Sequence, residues 1–94
     1  MDNDIAVKRL SELGHTTRMS VFRLLVKAGD DGLAVGEVQQ HLGIPAATLS
    51  HHIRRLMDAG LVLQRRDGRT LFCVAQMAAL REVVAFLDKE CCTL

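Results

Sequence analysis

Apolar residues recur at helical spacing at both ends of the chain and switch to extended spacing after Gly60. Ile5, Leu10 and Leu13 share one side of a first predicted helix, which Asn3 or Asp4 would cap and Gly14 would end. Met19, Phe22, Leu25 and Val26 stripe a second helix, with Thr16 or Thr17 as its cap. Gly29-Asp30-Asp31-Gly32 is a turn, residues 33–35 allow a very short strand, and residues 36–42 form a short helix stopped by Gly43. Ile44-Pro45 imposes a tight connection, because proline restricts the residue before it and suits a first helical turn. The next helix covers about 46–59. Residues 61–66 then read as a strand, Asp67-Gly68 as a two-residue hairpin signal, and 69–74 as the returning strand. Leu80, Val83, Val84 and Leu87 mark a last helix over about 77–90. The pattern predicts one mainly α domain over residues 1–94, with about five helices and a two-stranded β-hairpin wing.

Two short helices joined through Gly43-Ile44-Pro45 match a helix-turn-helix, and the hairpin behind them makes it a winged one. The second helix of such a pair enters the DNA major groove. With Leu49 at the centre of its buried stripe, Ile53 and Leu56 fall beside it. Ala47, Ser50, His51 and Arg54 fall opposite, Thr48 and Arg55 on one flank, and His52 between flank and core. The outward face thus offers hydroxyls, imidazoles and guanidinium groups to base edges and phosphates, and Ala47 permits close approach. Arg65, Arg66 and Arg69 surround the wing tip, where they can follow the backbone or enter the minor groove.

Charge changes this picture only locally. The formal net charge is +1, but residues 46–69 carry five arginines against Asp58 and Asp67, and add His51 and His52. That patch is the electrostatic footprint of a DNA reader. A hydrophobic share of 49% excludes a disordered chain, and an aromatic share of 3% requires an aliphatic core. Cys73, Cys91 and Cys92 make a poor disulfide framework, and no apolar run is long enough to span a membrane. The acidic Met1-Asp2-Asn3-Asp4 start lacks the pattern of a secretory leader, so a cytoplasmic protein is expected.

The stretch Leu49-Ser50-His51-His52-Ile53-Arg54-Arg55-Leu56-Met57-Asp58-Ala59-Gly60-Leu61-Val62 resembles the recognition helix and first wing strand of the ArsR/SmtB family. Asp67-Gly68-Arg69 is similar to its wing tip, and His15-Thr16-Thr17-Arg18 to the start of its second helix. The resemblance runs over about residues 5–92. It implies a homodimer joined through its first and last helices, and a repressor bound to an inverted-repeat operator until an inducer releases it. The apolar stripes of those two helices are consistent with an interface, the alternative being an intramolecular core.

Family members differ in where they hold ligands. The positions of the two-cysteine site in the third helix are here Ala34 and Gly36, and those of the zinc-type site in the last helix are Gln76, Ala78, Lys89 and Cys92. The tail that ends in Cys91-Cys92 is similar to that of members whose arsenite site begins with this pair. Soft thiolates suit trivalent arsenic or antimony, the inducers this implies, and no obligatory cofactor is expected. Relatives with this tail place a third cysteine further on, whereas this sequence reaches only Leu94. Cys73, a small thiol, a hydroxide, a residue beyond Leu94 or no third ligand at all are the alternatives, and Cys73 on its strand reads better as a small buried hydrophobe. The pair also suits a redox or persulfide sensor.

No phosphate loop and no nucleophile–base–orienter set is present, so an enzyme is not expected. A winged-helix module that binds protein rather than DNA would need apolar anchors along residues 47–55, where Thr, Ser, His and Arg stand instead.

Overall fold

The computed structural model describes residues 1–94. The chain folds as α1 (Asn3–Leu13), α2 (Thr16–Ala28), a short 3-10 turn (Gly29–Asp31), β1 (Leu33–Ala34), α3 (Val35–Leu42), α4 (Ala46–Asp58), β2 (Val62–Asp67), β3 (Thr70–Ala75) and α5 (Met77–Asp88). This is the predicted order. The two-stranded wing hairpin β2–β3 forms as predicted, and the short strand β1 pairs antiparallel with β3 beside it, giving a three-stranded sheet in the order β1-β3-β2. Leu33 opposes Cys73 and Ala34 opposes Phe72. Gly32 makes this junction possible. Its φ is +69°, and a Cβ there would press into the Cys73 carbonyl and the Val74 side chain.

Local chemistry shifts two caps from their expected positions. Asp2, not Asn3 or Asp4, starts α1 by accepting from the Ile5 amide at 2.9 Å. His15, not Thr16 or Thr17, starts α2, its Nδ1 accepting from the Arg18 amide at 3.4 Å. In the wing, the turn residues are Gly68 and Arg69, one position later than the hairpin signal suggested, with Asp67 paired to Thr70.

Leu25, Leu49, Leu56, Leu61, Val21 and Val38 have no exposed surface and form the centre of the core, where α2, α3, α4 and the sheet meet. The outer helices bury less than their stripes suggested. Of the first stripe only Leu13 is buried, while Ile5 and Leu10 are 43% and 41% exposed. In α5, Val83 is buried, but Val84 and Leu87 are 59% and 63% exposed. Arg9 ties the outer helices to the rest: its Nη1 donates to the Ala79 carbonyl at 2.9 Å and to Glu82 at 3.2 Å, and its Nε to the Ala59 carbonyl at 3.3 Å. α1 is thereby pinned to α5 and to the C-terminal end of α4.

Candidate nucleic-acid interface

The turn between α3 and α4 is set by two residues. Gly43 ends α3 in the left-handed region at φ 64°, donating its amide to Gln39 at 2.8 Å. Pro45, at φ −58° and ψ 143°, caps α4, and its carbonyl accepts the Leu49 amide at 3.0 Å. With Leu42 and Ile44 packed against the core, α4 is held with Leu49, His52, Ile53 and Leu56 facing inward. Ala47, Thr48, Ser50, His51, Arg54 and Arg55 are exposed, as expected from the helical wheel.

His52, placed by the wheel between flank and core, falls on the core side. It is 7% exposed, its ring lies 4.8 Å from that of His15, and its Nδ1 has no protein partner. It is therefore a packing residue and not an outward donor. The turn between α1 and α2, which carries His15, covers the border between flank and core on which the wheel places it. Burial, and then the charges of His15, Arg18, His51 and Arg55, pull the His52 pKa below its ordinary value of 6.5.

The arginines divide by what holds them. Arg54, Arg66 and Arg69 are exposed and pair with no carboxylate. Arg65 is committed to the base of the wing: its Nη2 donates to the Asp31 carbonyl at 2.9 Å and its guanidinium lies 5.3 Å from the Phe72 ring centroid. Arg55 is committed to Glu12, a buried α1 carboxylate that the sequence did not single out. A cleft lined by Val35, Ser50, Arg54, Asp58 and Gln64 joins α4 to the first wing strand. The free guanidinium groups of Arg54 on α4 and of Arg66 and Arg69 on the wing thus offer two positive contact surfaces to a polyanion.

The cysteines lie apart from this face. Cys73 has no exposed surface on β3, where Gln64 Nε2 lies 3.6 Å from its sulfur. Burial pushes its thiol pKa up. Cys91 and Cys92 are free, exposed, and 2.7 Å apart at their sulfurs. α5 ends at Asp88, two residues short of the expected end, and the tail curls through positive φ at Glu90 and Cys92, 65° and 66°. The Cys91 amide donates back to Asp88 at 3.3 Å. The hydrogen bond with Cys92 raises the Cys91 pKa. No group of three or more His, Cys, Asp or Glu side chains is placed to hold a metal ion.

Comparison with known proteins agrees with this geometry. The profile of the family described as "Helix-turn-helix domain" matches residues 13–65, more than half of the chain. The putative arsenical resistance operon repressor ArsR of Halobacterium salinarum is 36% identical over 69 residues, which are 73% of this chain and about half (51%) of that relative. An ArsR-like transcriptional regulator from Rhodococcus sp. RHA1 superposes with a TM-score of 0.83 at 20% identity, covering 92% of this chain and 78% of that one. The homodimeric winged helix-turn-helix DNA-binding domain of Mycobacterium bovis, a possible ArsR-family regulator, does so at 0.73 and 21% identity, covering 89% and 76%. From its helix-turn-helix, its three-stranded wing and these matches, the chain belongs to the ArsR family of winged helix-turn-helix, DNA-binding transcription regulators.

Proposed function

We propose that the protein is a homodimeric repressor that holds an inverted-repeat operator with α4 and the wing and releases it when trivalent arsenic or antimony binds Cys91 and Cys92. The observation that carries the inducer is the thiol pair itself: two free, solvent-facing sulfurs 2.7 Å apart. Arsenous acid condenses with both, each thiol proton leaving with an arsenic hydroxide as water. Two As–S bonds replace two As–O bonds, and no electrons are transferred. The third valence keeps its hydroxide or takes an outside thiol, because Cys73 is sealed in the core. The similarity to a relative named as a putative arsenical resistance repressor supports the same reading.

The dimer reading is supported by the exposed Ile5, Val7 and Leu10 of α1 and Val84 and Leu87 of α5. Apolar side chains of this size, left out of the core on two helices joined by Arg9, suit burial against a second copy. A change at the end of α5 would reach α4 through the same arginine, which holds the Ala79 and Ala59 carbonyls together. A coupling of about 1–3 kcal/mol suffices for release.

The same sulfurs support a second reading, oxidation or persulfidation. Fluorescence anisotropy of an operator duplex separates the two. Arsenite is expected to weaken wild-type binding by about tenfold or more, while Cys91→Ser and Cys92→Ser bind DNA normally and ignore arsenite. An unchanged arsenite response in both variants would remove the pair as sensor, and a response to oxidant alone would favour the second reading.

A further inference from the structure

Glu12 is 1% exposed, yet it faces three cations from three helices. Lys8 Nζ of α1 lies 2.9 Å from Oε2. Arg55 Nε of α4 lies 3.0 Å from both carboxylate oxygens, and its Nη2 3.0 Å from Oε1. Arg18 of α2 places Nη1 3.7 Å from Oε1 and donates Nε to the Glu12 carbonyl at 2.7 Å. These contacts do not involve the cysteines or the proposed dimer face.

Their geometry bears on how α4 is aimed. The apolar stripe of Leu49, Ile53 and Leu56 attracts without direction, so it resists a small roll of the helix weakly. A forked guanidinium–carboxylate contact fixes direction as well as distance. Side-chain tips stand roughly 5–6 Å from a helix axis, so a roll of about 20° displaces them by about 2 Å. That is enough to lose a hydrogen bond to a base edge. His51 lies one turn before Arg55 and Arg54 directly precedes it, so whatever holds Arg55 aims both.

We propose that Glu12 is the positioning residue of the DNA-reading helix: it keeps Arg55 off the phosphates and uses it to set the roll of α4 against α1 and α2. This rests on α4 being the element that reads DNA.

The test uses the full chain and a duplex selected by the wild-type protein from a random pool, with a scrambled duplex of equal length. Affinities and salt slopes are measured for wild type, Glu12→Gln, Arg55→Gln and the double variant. Coulomb's law alone predicts tighter binding to both duplexes when Glu12 loses its charge. Positioning predicts instead that Glu12→Gln loses about tenfold on the selected duplex while holding or gaining affinity on the scrambled one. Arg55→Gln is expected to show the same loss with an unchanged salt slope, and the double variant no further loss. If Glu12→Gln does not fold, Arg55→Gln and Arg55→Lys carry the test, because Arg55 is 44% exposed. Equal or tighter selected-duplex binding by Glu12→Gln, or a salt slope reduced by about one per protomer in Arg55→Gln, would overturn the inference. A wild-type protein that selects no duplex would overturn the DNA reading and the inference together.

Discussion

His52 and Gly32 show how single residues are constrained by partners far along the chain. His52 is buried between His15, Arg18, His51 and Arg55, with its Nδ1 unpaired, so the folded state resists its protonation. The unfolded chain takes that proton near the ordinary value of 6.5. The folded state therefore binds fewer protons below that pH, and stability falls as pH drops through and below 6.5. Thermal melts of wild type and His52→Gln between pH 7.5 and 5 check this: the wild type is expected to lose stability more steeply as pH drops, and parallel curves would refute the assignment. Glu12 acts in the same sense at lower pH. Burial raises its pKa, but hydrogen bonds and charges from Lys8 and Arg55 outweigh that, so its net lowering stabilises the fold above 4.5 and the benefit fades in acid. Gly32→Ala is expected to cost about 2 kcal/mol or more, from positive φ and the press of a Cβ on the β3 backbone. Calorimetry should show a fall of roughly 10 °C in Tm, and an unchanged Tm would contradict the geometry.

The elements were legible in the sequence wherever a long run repeated its period. The stripe of α4, the Gly60 break and the Asp67-Gly68 hairpin each place an element to within a residue or two. Caps were less legible, because Asp2, Asn3 and Asp4 are chemically alike and only backbone direction selects the one that reaches the Ile5 amide. Strand β1 was legible as a very short strand at 33–35, but its pairing was not, because the β3 edge it joins lies far along the chain. Glu12 was illegible for another reason: its main partner is 43 positions away, and it follows a polar stretch that reads as surface. The stripes of α1 and α5 were visible, but pattern alone does not tell a core from an interface. The structure leaves Leu10, Val84 and Leu87 exposed. Val84→Glu with Leu87→Glu should therefore leave the monomer fold intact, abolish the dimer in analytical ultracentrifugation, and weaken operator binding. A double variant that still sediments as a dimer would place the interface elsewhere.

At the scale of the whole molecule, α1 connects the parts. Arg9 holds it to α5 and the end of α4, and Glu12 holds it to α2 and the middle of α4. The reading helix and the exposed apolar helices thus meet at α1. The candidate interface was legible as a set of positions. Which of its arginines are free was not, because Arg55 and Arg65 are claimed by Glu12 and by the Asp31 carbonyl through tertiary contacts. Salt-dependent anisotropy on an inverted-repeat duplex tests the central assignment most directly, comparing wild type with an Arg54→Gln, Arg66→Gln, Arg69→Gln variant. Loss of six phosphate contacts in a dimer is expected to flatten the slope of log affinity against log salt by about five. Equal slopes for the two proteins would contradict the assignment of this face to DNA.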